Sequence, residues 1–393
     1  MIVSIFPKDH LERQTREKET GMSQVPSTSP RQGSEQSKPP VAKRPRKRWL
    51  TLGGVVLLLA AIVIAWQLLN ATLNSTDPSV AGRPLSNPHT HLHTVALGGQ
   101  PGVIYLGTHF GMFTSTDYGR TWPQARGVLN KLMIMSIAVS PANTKNLGII
   151  TLPDTGIGTQ SGVFFSQDGG TRWQHSSPTG LPLSAYPYTI KAGTGSAGHF
   201  YVFYQDAGWY ETQDMGLHWR LITNQTLSAM QTPSLLTDPS NPNYLLLGGD
   251  QGLFESRNDG KSWQKIASVA GDVLGLVGST TTPRTIYCST DQGLYRWQDG
   301  SSRVTRLAGA PPVLTRLVAD PSAHILYAVS GQDLWSSDDG GVSWVHRYHF
   351  NRGDLVALVV DPWHPTHLYA GFFLPALVTY SVNGGSSWQT LTD

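Results

Sequence analysis

The sequence predicts an all-β fold: a seven-bladed β-propeller of four-stranded antiparallel blades, preceded by one transmembrane helix. Three observations carry this reading. An eight-residue pattern, S-x-D-x-G-x-x-W, recurs along the chain. Its copies begin at 115, 166, 212, 256, 296, 337 and 381, so the steps are 51, 46, 44, 40, 41 and 44 residues. A period in the forties is the signature of propeller blades. Between copies lie short β-branched and aromatic runs bounded by Gly, Pro, Asn and Asp, which are strand signals. Ahead of all of them stands an uncharged apolar stretch from Trp49 to Leu69, long enough to cross a bilayer.

The repeated stretch reads as a hairpin clasp. In the first copy Ser115, Asp117, Gly119 and Trp122 hold the four pattern positions. The Asp carboxylate can accept backbone N–H groups inside its own tight turn. The Gly supplies a positive φ, and the Trp buries a large ring between neighbouring units. The pattern returns with Asp168 and Trp173, with Asp214 and Trp219, and with Asp339 and Trp344. Asn replaces Asp at Asn258 (with Trp263) and at Asn383 (with Trp388). A worn copy runs from Arg296 to Arg303.

In chain order, residues 1–48 form a polar, Pro- and Ser-rich tail that reads as disordered and cytoplasmic. They carry 11 Lys+Arg against 5 Asp+Glu, leaving the remainder of the chain slightly acidic. The folded part therefore makes no electrostatic case for nucleic acid. The cluster Lys43-Arg44-Pro45-Arg46-Lys47-Arg48 sets the orientation of the helix at 49–70, with the N-terminus in the cytoplasm. A cleaved signal peptide is the alternative. The long tail and the lack of a small-x-small cleavage site favour an uncleaved anchor. Residues 71–90 read as a Ser/Pro/Gly-rich stalk, and 91–393 as the propeller, outside the cytoplasm. The single cysteine, Cys288, lies in the apolar run Thr285-Ile286-Tyr287-Cys288, so no internal disulfide can form.

Blade 4 shows the strand pattern. Its strands are expected near 233–237, 244–247, 253–255 and 262–266, with an Asp238-Pro239 turn after the first. The Asp-Pro turn recurs at Asp320-Pro321 and Asp361-Pro362. No segment after residue 75 has the pattern of a useful amphipathic helix. The last clasp is followed by the last strand of its own blade, so the ring is expected to close by packing of whole blades.

Across 91–393 the clasps resemble the Asp-box (BNR) repeats of sialidases, sortilin-type receptors, xyloglucan-degrading glycoside hydrolases and photosystem II assembly factors. That resemblance implies the propeller fold and a clasp at the blade periphery; it does not carry activity with it. A sialidase would bring an early Phe/Tyr-Arg-x-Pro motif, whereas Arg44-Pro45 and Arg83-Pro84 lie in the tail and stalk without the aromatic. A sortilin-type receptor would bring a larger ring and a Cys-rich module. A compact ring of this size looks most like the photosystem II assembly factor type.

Candidate ligand-binding residues lie on the face opposite the clasps, in the turns between second and third strands: His109, Asp154, Asp206, Asp250, Asp291 and Asp333. They would form an acidic ring for a cation or a basic partner; ordinary hairpin-turn chemistry explains the same residues. Two blade connections add Tyr186, Tyr188 and Arg352, residue types suited to sugar or peptide recognition. The run His89-Thr90-His91-Leu92-His93 could align imidazoles toward zinc with His109. Neighbours on one strand chelate poorly, however, and the run suits an exposed edge equally well. No metal, no cofactor and no catalytic residue is assigned. The expected role is a membrane-anchored scaffold for a protein or glycan partner. The alternative is a glycoside hydrolase, which needs two carboxylates about 5 Å or about 6.5–9.5 Å apart.

Overall fold

The computed structural model describes residues 84–393 apart from 125–128, 130–131, 153–161, 183–184, 232, 282, 300, 302 and 393. The tail, the proposed membrane helix and the stalk up to residue 83 lie outside the described residues, as does Asp154. Among the described residues no helix is long and apolar enough to cross a membrane.

Seven antiparallel sheets follow one another along the chain, each with its strands in sequential order. Six have four strands: blades 2 to 7 span 133–175, 187–221, 234–265, 273–307, 316–349 and 355–390. Blade 1, at 92–115, has three strands among the described residues, and its outermost position holds a bridge between Phe113 and Gln124, beside residues 125–128, which lie outside them. Among the described residues the one named helix is the single turn Gln225–Ser228, capped by the Asn224 side chain, which accepts the Leu227 N–H at 3.0 Å.

The inner strands Leu92–Leu97, Met133–Val139, Pro187–Ala192, Ser234–Thr237, Val273–Gly278, Arg316–Ala319 and Leu355–Val360 line the axis. Second strands such as Phe200–Tyr204 and Leu245–Gly249 are buried along their whole length. Their sequences run apolar without alternation because a neighbouring blade covers each face. The outer strands Gln174–His175, Gln264–Lys265 and Gln389–Thr390 are two exposed residues each. Such short polar edges discourage pairing with other chains.

Apolar seams join the blades. The closing seam packs Leu92, Val95, Leu106 and Phe113 of blade 1 against Val356, Ala357, Tyr369 and Val378 of blade 7. No strand is exchanged there, as the order of the last clasp implies. Residues 84–90, read from the sequence as the end of the stalk, lie along this seam. Leu85 is buried in it, and the Ala376 N–H donates to the Thr90 carbonyl at 2.8 Å. On the clasp side, Trp122 Nε1 donates to the Leu391 carbonyl at 2.9 Å. Trp263 reaches the preceding blade the same way, at the Ile222 carbonyl (2.7 Å), and Trp219 at Ser176 Oγ (2.9 Å). Trp173, Trp344 and Trp388 instead donate to the Gly carbonyl of their own clasp.

The clasps share one hydrogen-bond pattern. In blade 6, Ser337 Oγ donates to Asp339 Oδ1 at 2.7 Å and accepts the Gly341 N–H at 2.8 Å. Asp339 Oδ1 accepts the Val342 and Ser343 N–H groups, and Oδ2 accepts the Ser343 hydroxyl. Both residues before the next pair, Gly340 and Gly341, have positive φ, as do Tyr118 and Gly119 in blade 1. The Asn copies work because the partner four residues on is a Ser. Asn258 Oδ1 accepts the Ser262 N–H, and its Nδ2 donates to Ser262 Oγ at 2.8 Å. Asn383 and Ser387 repeat this. In the worn copy of blade 5, Arg296 replaces the Ser and donates across to the Gly340 carbonyl of blade 6 at 3.0 Å.

Ser337→Ala would leave the buried Gly341 N–H without its acceptor. We expect a loss of about 1–2 kcal/mol in urea denaturation; unchanged stability would show that the serine is dispensable.

Candidate functional site

Because strands alternate in direction, the turns alternate between two faces. One face carries the clasps and the turns between first and second strands. The other carries the turns between second and third strands and the blade-to-blade connections. The inner strands converge between them on a cavity of about 460 Å³. Its wall is formed by the later residues of those strands: Val95 to Gly98, Ile137 to Val139, Ile190 to Ala192, Leu236, Val277, Val318, Val359 and Val360, with Pro362. It therefore lies toward the clasp side of the axis, whereas the sequence placed the binding residues on the opposite face.

The lining is apolar but for Lys191, and no carboxylate is among the lining residues. Burial drops the Lys191 amine to about 8, because a charged ammonium loses hydration there. A second cation begins the inner strand of blade 6. Arg316 is buried, its Nη2 donates to the Leu355 carbonyl at 2.9 Å, and its Nε meets no partner. Burial also pulls its guanidinium down, to about 10. In the sequence the only sign of this cation is a lone Lys between Ile190 and Ala192.

The acidic residues of the opposite face are engaged locally. Asp250 Oδ1 accepts the Gln231 N–H at 3.1 Å, and Asp291 Oδ1 accepts the Asp272 N–H at 2.9 Å. Each ties a turn to the connection entering its own blade. Asp206, at a φ of 58°, lies 3.5 Å from Gln231 Nε2. Asp333 sits 3.0 Å from His346 Nε2 and 2.8 Å from His349 Nδ1 of its own blade's outer strand. Those two hydrogen bonds hold its carboxyl below the usual range. Arg352 is paired with Asp354, bonded to the Leu374 carbonyl and stacked over Phe372. Tyr188 packs edge-on against Phe203, while Tyr186 is exposed. Asp250 and Asp291 thus cap backbone N–H groups of their own blades, while Asp333 is engaged by imidazoles.

Three imidazoles do gather. His91, His93 and His109 have ring centroids 5.4–6.5 Å apart, and His91 lies 4.8 Å from the Phe373 ring. His89 is not among them; its N–H donates to Asn87. His93 is buried and its Nε2 has no hydrogen-bond partner. Burial, then the neighbouring imidazoles, push His91 to about 4 and His93 to about 3.

A carboxylate pair does exist, at the seam of blades 3 and 4. Glu211 and Asp259 are both buried, and Arg220 Nη2 contacts both. Tyr201 donates to Asp259 Oδ1 at 2.9 Å and Gln213 to Glu211 Oε1 at 2.8 Å. His199 Nε2 is 2.9 Å from Glu211 Oε1 but off the line of a hydrogen bond. Burial, then the Glu211 carboxylate, raises Asp259. Burial would raise Glu211 too, but the donors around it outweigh that and lower it. The Glu211 and Asp259 side chains are 2% and 12% exposed, so the pair is largely closed to solvent. It pins two blades together.

The fold and the channel define a seven-bladed propeller with an apolar axial cavity. No protein-family model matches the chain. It is 27% identical over 221 residues, 54% of its length, to an oligoxyloglucan-reducing end-specific xyloglucanase of Emericella nidulans, of which it covers 23%. The chain spans less than a quarter of the length of the curated relatives it matches. Among solved structures it is similar to the GH74 xyloglucanase of Xanthomonas campestris, with a TM-score of 0.62, 16% identity and coverage of 79% of this chain and 55% of that one. It is also similar to YCF48 of Cyanidioschyzon merolae, with a TM-score of 0.53, 14% identity and coverage of 75% and 96%. At these identities the structural likeness shows the fold alone.

The histidine cluster gives a signed pH dependence. Both folded-state values lie below the unfolded value of about 6.5. The stability tied to neutral His91 and His93 is thus complete above that pH and is lost as pH falls through about 4 and 3. The slope approaches about 1.4 kcal/mol per pH unit for His93 and is smaller for His91, which water still reaches. His91→Asn should flatten the decline of unfolding free energy between about pH 6 and 4. Parallel urea-denaturation profiles for the two proteins would remove the cluster as its source.

Proposed function

We propose that this chain is a binding and assembly scaffold whose axial cavity receives an apolar protein segment bearing a carboxylate. Residues 49–70 would anchor it in the membrane, with the propeller outside the cytoplasm. The observation that carries the reading is the chemistry of the cavity: an apolar wall, one desolvated amine at Lys191 and no lining carboxylate. Lys191 is half-buried in this apolar wall, where a charged amine loses part of its hydration, and an incoming carboxylate would offset that cost with a charge-assisted hydrogen bond. Hydrolysis of a glycoside needs the opposite, a reachable pair of acids.

A second reading, a glycoside hydrolase acting on an extracellular glycan, is favoured by the sequence similarity to the Emericella nidulans xyloglucanase. Set against it, the Glu211–Asp259 pair is largely closed to solvent.

The test uses the full chain in detergent and a panel of apolar peptides, each with a free or an amidated C-terminus, followed by fluorescence anisotropy. Free-acid peptides should bind about tenfold or more tightly than their amides, and Lys191→Met should erase that preference while leaving the fold intact. Equal binding of acid and amide would overturn the carboxylate reading. Release of reducing sugar from xyloglucan oligosaccharides would overturn the scaffold reading in favour of the hydrolase.

A further inference from the structure

The Asp-Pro turn after the inner strand occurs in three blades, and in blade 7 it has been altered in one direction. In blade 4, Asp238 Oδ1 accepts both the N–H and the hydroxyl of Ser240, at 2.9 and 2.8 Å. In blade 6, Asp320 Oδ2 accepts the same two groups from Ser322. In blade 7 the serine is replaced by Trp363. Asp361 Oδ1 still accepts that residue's N–H at 2.8 Å, but no hydroxyl is present to take up the carboxylate. Its Oδ2 turns to two imidazoles, His364 Nδ1 at 3.1 Å and His367 Nδ1 at 3.9 Å. In the blade 4 turn the corresponding residues are Asn241 and Tyr244. Three departures in one turn thus bring a carboxylate and two imidazoles together.

We propose that Asp361, His364 and His367 form a binding site for a divalent transition metal, with zinc as the best fit, on the clasp face of blade 7. One ligand atom from each residue lies within 4.8 Å of the others. Zinc holds nitrogen and oxygen ligands at about 2.0–2.2 Å, so tetrahedral ligands sit about 3.4 Å apart, and the two carboxylate–imidazole separations bracket that value. The imidazole rings are stacked, with centroids 4.7 Å apart and planes 23° from parallel. Because each nitrogen lone pair lies in its ring plane, the exposed His364 ring must rotate out of that stack for both nitrogens to meet one ion. Asp361 is buried and held by its backbone bonds, whereas the His364 side chain is 47% exposed, leaving an approach for the ion. Tyr380 Oη lies 2.7 Å from His367 Nδ1 and must release that nitrogen when the metal takes it. Two imidazoles and one carboxylate leave a coordination position open, as in zinc sites that bind a further ligand. Hard cations such as Mg²⁺ prefer all-oxygen sites and fit this set poorly.

The experiment is isothermal titration of the full chain with zinc chloride, alongside His364→Ala and His91→Gln. His364 is exposed and pins no backbone, so its removal leaves the fold intact, which a thermal melt in EDTA checks. We expect one site in the parent chain, affinity at least tenfold weaker in His364→Ala, and unchanged affinity in His91→Gln. Cobalt(II) should give the visible absorption of a tetrahedral or five-coordinate centre, and His367→Phe should abolish it. No binding to the parent chain, undiminished binding to His364→Ala, or a loss confined to His91→Gln would each overturn the assignment. The last result would move the metal to the cluster of His91, His93 and His109.

Discussion

No blade of this protein can bury both faces of its sheet alone, and everything else in the ring depends on that constraint. The second strands are apolar along their whole length, so each would expose a hydrophobic face without a neighbour on either side. Stability is therefore a property of the closed ring. The seam between blades 1 and 7 closes the ring, and among the described residues no exchanged strand reinforces it. Its apolar cluster is supplemented by the segment from residue 84 to Thr90 and by the indole bond from Trp122 to Leu391. Those two ties come from opposite ends of the folded region, so the seam is where chain-order distance is greatest and loop-closure entropy weighs most.

The same constraint shapes the axis. Seven inner strands meeting side by side leave space that side chains fill only in part, and the wall they present is mostly Val, Ile, Leu and Ala. A polar group there is costly unless something answers it. Lys191 and Arg316 are consequently the informative residues of the axis. Arg316 is partly answered by the backbone carbonyls of Thr315 and Leu355. Among the described residues no carbonyl accepts from the Lys191 amine, which lines the axial cavity. This difference is what points to Lys191 as the contact for an incoming anion and to Arg316 as a fixed part of the wall.

The repeat made the fold legible. Once Asp117, Asp168, Asp214 and Asp339 are seen at equal spacing from Gly and Trp, the blade count and strand order follow from the hairpin each pattern implies. Even the two Asn copies were readable, since Ser262 and Ser387 stand where an amide can donate. The site was far less legible. The positions of Asp250 and Asp291 in second-to-third-strand turns were read correctly, but whether a turn carboxylate faces outward or caps a neighbouring N–H is decided by the connection packed against it. Gln231 and Asp272 supply those N–H groups from about 19 residues away in sequence. The histidines were more legible: the sequence grouped His91 and His93 with His109, and the three rings do meet, while His89 is not part of those ring contacts.

Carboxylate use supplies the last step toward function. An acid can serve catalysis only if it is not already holding the fold together. Asp117, Asp168, Asp214 and Asp339 accept the N–H groups of their clasps, Asp238 and Asp320 the groups of their Asp-Pro turns, and Asp354 pairs with Arg352. Glu211 and Asp259 share Arg220 inside a seam. Removing any of these from its partner would cost the hydrogen bonds that define a turn or leave an unpaired buried charge. These named acids are committed to architecture, and Lys191 stands at the axial cavity. Asp361 differs from Asp238 and Asp320, the acids of the other two Asp-Pro turns, because one of its oxygens is directed toward imidazoles in place of a hydroxyl.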